Sequence, residues 1–465
     1  MTASKNVDML NGSLWDKILI FALPIAASSI LQQLFNSADV AVVGRFAGTQ
    51  AVAAVGSNAN VISLIINLFL GVSVGANVVI GNLAGRGKTK DIQDAVHTAI
   101  TVALLSGIFL IFAGFFIARP ILTLMGTPDD VIDYAVVYLR IYFGGMPFFM
   151  LYNFGAAILR VKGDTQRPLY SLILSGVINV ILNLILVVIF KLDVVGVGIA
   201  TLVSTAVSGL LVLYFLMKEE GNLKVSLKKL HVNETYLIHM IKIGVPAGIQ
   251  GIIFNFSNVV IQSSINSFGS SAMAGSAAEL NFEYFSFYVV SAFNQATVSF
   301  TSVNYGAGKF DRCKKIWRCC LFSSIMITAV MVFFFVAFRK FFIGLYTTDP
   351  VAIQYGTLRM VCVEAFDCLI NTYEIGASTL RAMGYSMLPA FETIFGICVL
   401  RLAWIYTVFA HFRKIVEPLT AFGILTAVYP VSWIITGTVV VSTYYIVRHK
   451  EFNKDRSRNS IKSGH

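Results

Sequence analysis

Twelve long apolar segments, separated by short stretches rich in Gly, Pro and charged residues, constrain this chain more than any other feature. The predicted spans lie near 16–43, 53–83, 95–118, 133–158, 168–190, 195–217, 237–267, 274–305, 316–338, 353–380, 387–410 and 418–447. About 20 apolar residues suffice to cross a bilayer, and the connections are too short for a separate folded domain. With 57% hydrophobic and 13% charged residues, an ordinary soluble enzyme is excluded. The sequence predicts an all-α polytopic membrane protein whose function lies inside the membrane.

The basic residues indicate the orientation of these spans. Of 35 Lys and Arg residues, 25 fall on the alternate connections that include both chain ends, 7 fall on the opposite set, and 3 fall within predicted spans. Cytoplasmic loops carry such an excess, so we predict a multi-pass protein of the plasma membrane, the inner membrane of a cell with two, with both termini cytoplasmic. The net charge of +11 is then an orientation signal. We expect anionic lipid headgroups as its partners and no nucleic acid.

The two halves of the chain repeat each other. At an offset of 222 residues Pro24 matches Pro246, and at 221 Pro168 matches Pro389 within a longer run of identities. Six spans separate equivalent helices, so both copies share one orientation, as in transporters built from parallel repeats. We predict two six-helix lobes around a central cleft. The predicted divisions are an N-lobe at 1–217, a cytoplasmic linker at 218–236, a C-lobe at 237–447 and a basic cytoplasmic tail at 448–465.

Polar side chains inside predicted spans are the candidates for function, because a charge in the hydrocarbon region is costly. In the N-lobe they are Gln32, Asn36 and Asp39 on one face of span 1, Asn179 and Asn183 on span 5, and Thr201 on span 6. One carboxylate among several neutral oxygens suits a small hard cation, or a carboxyl group that takes up a proton. Hydrogen bonding between helices is the alternative role for these residues.

The C-lobe carries a second, more acidic set. Its members are Glu364, Asp367, Asn371 and Glu374 within about 80° of one face of span 10, and Glu279 and Glu283 on span 8. The repeat counterparts of Glu364 and Asp367 are Phe143 and Met146, so the acids are not needed to build the fold. The set suits cations or a cationic substrate, with Arg401 as a counter-charge and the rings of span 8 as apolar walls. A purely structural buried network is the alternative.

Other motifs indicate no enzyme and no structural metal. Asp129, Asp130 and Asp133 have the spacing of a diphosphate-binding motif, but no second aspartate-rich motif follows. Their position after Pro128 favours a helix start, where acids are stabilised by the helix dipole. The six histidines lack a metal-ligand spacing. Pro24 and Pro246 are hinge candidates because each removes a helical hydrogen bond, although simple kinks are the alternative.

The assembled residues resemble the prokaryotic multidrug and toxic compound extrusion (MATE) transporters over essentially the whole chain. Three motifs carry the resemblance: Asp39-Val-Ala-Val-Val-Gly44-Arg45, Leu159-Arg160-Val-Lys-Gly163-Asp164-Thr165-Gln-Arg-Pro168, and Asn304-Tyr-Gly306-Ala-Gly308-Lys309. The resemblance implies export of drug-like small molecules, lipophilic and cationic, driven by inward movement of H+ or Na+ through alternating access. It implies no cofactor beyond the coupling ion, and we expect a monomer.

By that resemblance Asp39, Asn179, Asn183 and Thr201 fall on the cation-site positions of the N-lobe. Position 183 is often acidic in related members and is Asn here. The helix 7 glutamate of another branch has no counterpart in Phe254-Asn255-Phe256, so its C-lobe sodium site is not carried over whole. Two alternatives stay open: a lipid-linked saccharide flippase of the same superfamily, which would have a more cationic cleft, and an intramembrane enzyme acting on lipid diphosphates.

Overall fold

The computed structural model describes residues 6–47 and 49–462, and in this part of the chain the regular structure is helical. The first half contains α1 Trp15–Phe46, α2 Thr49–Gly85, α3 Thr89–Leu124, α4 Asp129–Gly144, α5 Met146–Val161, α6 Gln166–Asn183 and α7 Asp193–Met217. The second half contains α8 Glu234–Asn266, α9 Ser270–Gly306, α10 Phe310–Ala337, α11 Arg339–Gly344, α12 Pro350–Cys362, α13 Ile370–Ala382, α14 Met387–Thr393, α15 Leu400–Trp404, α16 Ala410–Phe412, α17 Pro418–Thr426 and α18 Val428–Lys462. Turns of π-helix at Leu184–Ile189, Ile394–Val399 and Ile405–Phe409 link or extend these helices.

The helices account for all twelve predicted spans. Within residues 6–47 and 49–462, nine helical segments are long and apolar enough to cross a membrane, and α4 with α5, bent by 46°, makes a tenth. The other two predicted spans correspond to α9 and to α12 with α13. These two contain the buried carboxylates, which lower their apolar character.

Contacts within the chain define two units. The first comprises Ile20–Ile252 with the segment that ends at Gly12, and the second comprises Ser13–Leu19 with the chain from Ile253 onward. The division therefore falls inside α8, whereas the predicted linker is 218–236. That linker belongs to the first unit, where Ser226 N donates to His97 Nε2 at 3.1 Å and Asn233 N donates to Thr98 Oγ1 at 2.9 Å. In the predicted tail, 463–465 lies outside the described residues.

Within the first unit, α2 and the start of α8 approach each other through glycines. A Cβ at Gly71 would lie 2.3 Å from Gly244 O, and a Cβ at Gly244 would lie 2.4 Å from the Cα of Val72. Gly75 and Gly248 continue the contact one turn further along each helix. Small residues four apart let helix backbones pack closely in membranes, which fixes these two helices together.

Within the second unit, an apolar core forms around Phe282 of α9. Phe282, Ile343 and Met360 are buried together, and the rings of Phe335 and Phe342 lie 5.1 and 5.3 Å from the ring of Phe282. This aromatic residue of span 8 therefore contributes to the core rather than to a polar wall.

The two hinge candidates lie inside helices. Pro24 is within α1 and Pro246 is within α8. Ser28 Oγ donates to Pro24 O at 2.8 Å, so a side chain adds a hydrogen bond in the turn that follows Pro24. The hinge role of both prolines remains a prediction.

Candidate functional site

A close contact between α1 and α6 positions the first candidate site. A Cβ at Gly176 would lie 1.8 Å from Cε2 of Phe35, so the phenyl ring occupies space that only glycine leaves free. Asp39 follows Phe35 by about one helical turn and Asn183 follows Gly176 by about two. The contact therefore brings the carboxyl group of α1 beside the amide at the end of α6.

Asp39 is buried, with 7% of its surface exposed. Asn183 Nδ2 donates to Asp39 Oδ1 at 2.5 Å and to Asn179 Oδ1 at 3.2 Å. The side chains of Asn179 and Thr201 also face the Asp39 carboxyl. Asn183 Oδ1 is buried and accepts no hydrogen bond within the described part of the chain. We call Asp39, Asn179, Asn183 and Thr201 the Asp39 site.

The Asp39 site opens into a cavity of about 100 Å³ inside the first unit. Gln32 and Asn36 line this cavity together with Asp39, Asn179 and Thr201, so the structure brings the predicted polar residues of the N-lobe together. Sequence reasoning missed Tyr138, Tyr142 and Ser204, which also line the cavity. The spacing of the two tyrosines by one helical turn is the signal that might have been used, but tyrosine is common in membrane helices for other reasons.

The second candidate site depends on an irregularity in span 10. The sequence analysis treated 353–380 as one α-helix, and that detail is wrong, because Glu364–Leu369 forms a 3₁₀-helix between α12 and α13. Side chains three apart eclipse each other in a 3₁₀-helix. Glu364 and Asp367 therefore project from the same side, closer in direction than an α-helix would place them.

Arg359 of α12 is the counter-charge of this second site. Its guanidinium pairs with Glu279, lies 2.7 Å from Glu283 Oε2 and donates to Ser276 Oγ at 2.6 Å. The prediction that Arg401 fills this role is wrong. Arg401 instead donates to Ser432 Oγ at 3.1 Å and lies 4.3 Å over the ring of Tyr429.

Glu364 and Asp367 lie beyond the reach of this arginine. Both side chains are fully buried, and within the described residues no Lys, Arg or His forms an ion pair with either one. Ser286 Oγ donates to Glu364 Oε1 at 2.7 Å. We call Arg359, Glu279, Glu283, Glu364 and Asp367 the Arg359 cluster. It holds four carboxyl groups around one guanidinium, so it has more acids than bases.

The remaining predicted residues of span 10 have their own partners. Ser324 Oγ donates to Asn371 Oδ1. Asn294 Nδ2 donates to Glu374 Oε2 at 2.5 Å, and Arg381 is the charged group that Glu374 faces. The structure therefore does not bring Glu374 into the Arg359 cluster. Asp129 and Asp130 lie in the first turn of α4, where a helix start was expected, and Asp133 pairs with Arg119 at 3.1 Å.

A polytopic helical chain with buried carboxyl groups in each half belongs, as a class, among membrane transporters built from parallel repeats. Comparison with known proteins identifies the family. The MatE family's sequence model matches residues 24–185 and 246–407, and the chain belongs to this family of multidrug and toxic compound extrusion transporters. The two matches are displaced by 222 residues, which confirms the internal repeat and the predicted twelve-span fold class.

Individual relatives are similar over nearly the whole chain. The chain is 28% identical over 447 residues to the probable multidrug resistance protein YoeA of Bacillus subtilis (strain 168), covering 94% of this chain and 95% of that protein. It is 25% identical over 382 residues to the probable multidrug resistance protein YpnP of the same organism, covering 82% and 85%. A solved structure of a multidrug resistance MATE family transporter of the MOP superfamily matches with a TM-score of 0.89 at 20% identity, over 98% of this chain and 100% of that one. At this identity the structural match shows the fold alone.

Proposed function

We propose that this protein is a secondary active efflux transporter that exports lipophilic cationic compounds in exchange for H+ or Na+ by alternating access. It acts in the plasma membrane with both termini in the cytoplasm. The observation that carries the proposal is the buried Asp39 carboxyl, held by Asn183 beside a cavity of about 100 Å³. A buried carboxyl that opens to a polar cavity is suited to take up and release one cation per cycle.

The contacts of Asn183 support H+ more than Na+ as the coupling ion. Its amide N–H donates to Asp39, whereas a hard metal cation takes oxygen ligands. Sodium would require Asn183 to turn its amide and present Oδ1, while a proton needs only a free lone pair on the carboxyl. Asp39 is also the only carboxyl group among the residues that line this cavity, which leaves less negative charge for a metal ion.

Coupling requires the cation and the drug to stabilise different states of the carrier. Asp39 lies on α1, which packs on α6 through Phe35 and Gly176. Neutralising Asp39 removes the charged partner of the Asn183 amide and weakens the bond between these helices. Protonation from outside then favours the state that releases the drug, and deprotonation toward the cytoplasm resets the carrier.

The Arg359 cluster supports a cationic substrate or a second cation site. Glu364 and Asp367 are buried without an ion-pair partner among the described residues, and isolated buried charges are costly. These two carboxyl groups therefore need a proton, a metal cation or the cationic group of a drug. Net negative charge at this site supports export of cations rather than anions.

The test is ethidium transport in proteoliposomes under separately imposed H+ and Na+ gradients. We expect one gradient to drive transport by the wild type and Asp39→Asn to reduce it by about 10- to 100-fold, the range of a coupling free energy of about 1–3 kcal/mol. Asp133→Asn is the matched control, because Asp133 is 75% exposed and pairs only at the surface. If neither gradient moves ethidium in the wild type, the proposal fails and a lipid-linked saccharide becomes the first substrate to try.

A further inference from the structure

A basic pocket of about 650 Å³ lies at the start of α10 in the second unit, away from both carboxylate sites. Its cationic lining residues are Lys309, Arg312, Lys314, Lys315 and Arg448. Asp311 is the one acid among the described lining residues, and it pairs with Lys314 at 2.7 Å. The pocket therefore carries a large excess of positive charge.

Aromatic rings form the apolar part of the same pocket. The rings of Phe310 and Phe452 lie 4.9 Å apart, and Lys314 Nζ lies 5.2 Å from the centre of the Phe452 ring. Arg448 lies 4.5 Å over the ring of Tyr445. These contacts hold long basic side chains at the pocket, so its charge is concentrated rather than spread along a loop.

The internal repeat shows that the helix start does not require this charge. Gly87 and Gly308 precede α3 and α10 with φ of 69° and 70°, left-handed conformations that favour glycine. When these glycines are aligned, Arg312 of α10 corresponds to Asp91 of α3, and Lys315 corresponds to Asp94. Two acids of the first copy are thus replaced by two bases in the second.

The first copy is also neutralised by its own contacts. Lys88 lies 3.4 Å from Asp91, and His231 lies 3.6 Å from Asp94. The same local fold therefore forms with balanced charge in one copy and with excess positive charge in the other. Because the fold does not need the excess, it is available to bind an anion.

We propose that this pocket binds the phosphate groups of an anionic ligand, which in a bilayer is the headgroup of an anionic phospholipid. Its volume falls within the range of about 300–1,000 Å³ of small-molecule sites and exceeds the size of a single phosphate ion. The pocket lies on the connection between α9 and α10, on the side that the excess of basic residues assigns to the cytoplasm. Basic pockets at this level are suited to phospholipid headgroups. The ligand chemistry, phosphate with an attached polar group, also fits a soluble diphosphate.

The test measures thermal stabilisation of the full chain in detergent by added ligand. The three probes are dioleoylphosphatidylglycerol, dioleoylphosphatidylcholine and inorganic pyrophosphate. The triple variant Arg312→Gln, Lys315→Gln, Arg448→Gln is compared with a control, Arg86→Gln, Lys88→Gln, Lys90→Gln, which removes the same charge near the start of α3. We expect apparent affinity for phosphatidylglycerol to fall by about a hundredfold in the first variant and to stay at the wild-type value in the control.

The probes also distinguish the source of the phosphate. Stabilisation by phosphatidylglycerol, but not by pyrophosphate or phosphatidylcholine, identifies a lipid headgroup. Stabilisation by pyrophosphate, lost in the first variant only, identifies a soluble anion. In either case the affinity falls as ionic strength rises, because salt screens the exposed charges. Equal binding by the wild type and the first variant, an equal loss in the control, or no binding by the wild type overturns the proposal.

Discussion

The Asp39 site and the Arg359 cluster solve the problem of a buried carboxyl group in different ways. Asp39 is surrounded by neutral donors and acceptors, with Asn183 as its direct partner. The cluster uses Arg359 to balance Glu279 and Glu283 and leaves Glu364 and Asp367 without a base among the described residues. One site thus holds a single carboxyl that hydrogen bonds can support, and the other holds more acid than its base can neutralise.

The repeat makes this difference informative. Asp39 corresponds to Ile261 at an offset of 222, and Ile261 is 1% exposed. Asp367 corresponds at an offset of 221 to Met146, which is 2% exposed. Each half therefore has apolar core where the other has an acid. The two sites are not copies of one ancestral site, and the shared fold constrains packing far more than it constrains the placement of charge.

The largest expected effect tests the ion pairs of the Arg359 cluster. Arg359→Met should lower the free energy of unfolding by about 3–5 kcal/mol, because it leaves two buried carboxylates uncompensated. Thermal unfolding in detergent measures it. The triple variant that adds Glu279→Gln and Glu283→Gln should recover most of the loss.

Arg401→Met is the matched control for Arg359→Met. Arg401 is equally buried but binds Ser432 and the Tyr429 ring without a carboxylate partner, so its loss should cost about 1.5–3 kcal/mol. Equal losses for the two arginine variants would show that the cluster does not depend on charge balance, and the contrast between the two sites would then disappear.

The second prediction separates stability from transport at the unpaired acids. Glu364→Gln with Asp367→Asn should leave the unfolding temperature unchanged or raise it, because uncompensated buried acids are replaced by neutral groups. Gradient-driven ethidium uptake should fall by about 5- to 150-fold. Uptake at the wild-type rate would restrict coupling to the Asp39 site, and a large loss of stability would assign the pair a structural role.

The smallest effect concerns the contact that assembles the Asp39 site. Gly176→Ala should cost about 1 kcal/mol, the lower end of overpacking penalties, because the displaced atoms belong to the Phe35 ring. Adding Phe35→Ala should recover part of that loss, and the double-mutant cycle measures the coupling. Gly56→Ala is the control, since a Cβ there meets no atom within 4 Å. Additive losses would show that Phe35 and Gly176 do not position Asp39.

Much of the architecture was predictable from the residues. Apolar segment lengths predicted the spans, and matched positions such as Pro24 with Pro246 predicted the repeat, because hydrophobic length and periodicity act locally along the chain. The cost of buried charge singled out Asp39, Glu279 and Asp367 in the same way. Where the residues of a site share one or two helices, helical periodicity already places them on a common face.

The pairing of charges was not predictable, because it depends on which helices pack together. Arg359 and Arg401 are both intramembrane arginines, and the sequence offers no means to choose between them as partner of Glu279. The 3₁₀-helix at Glu364–Leu369 has no signature in the apolar pattern. Asp39 meets Asn183 only because a phenyl ring fills the space above Gly176. The sequence determined the number of helices, their repeat and the acids buried in them. Tertiary packing alone decided the partner of each acid, since hydrogen bonds and ion pairs act over a few ångströms between residues about 80 to 140 positions apart.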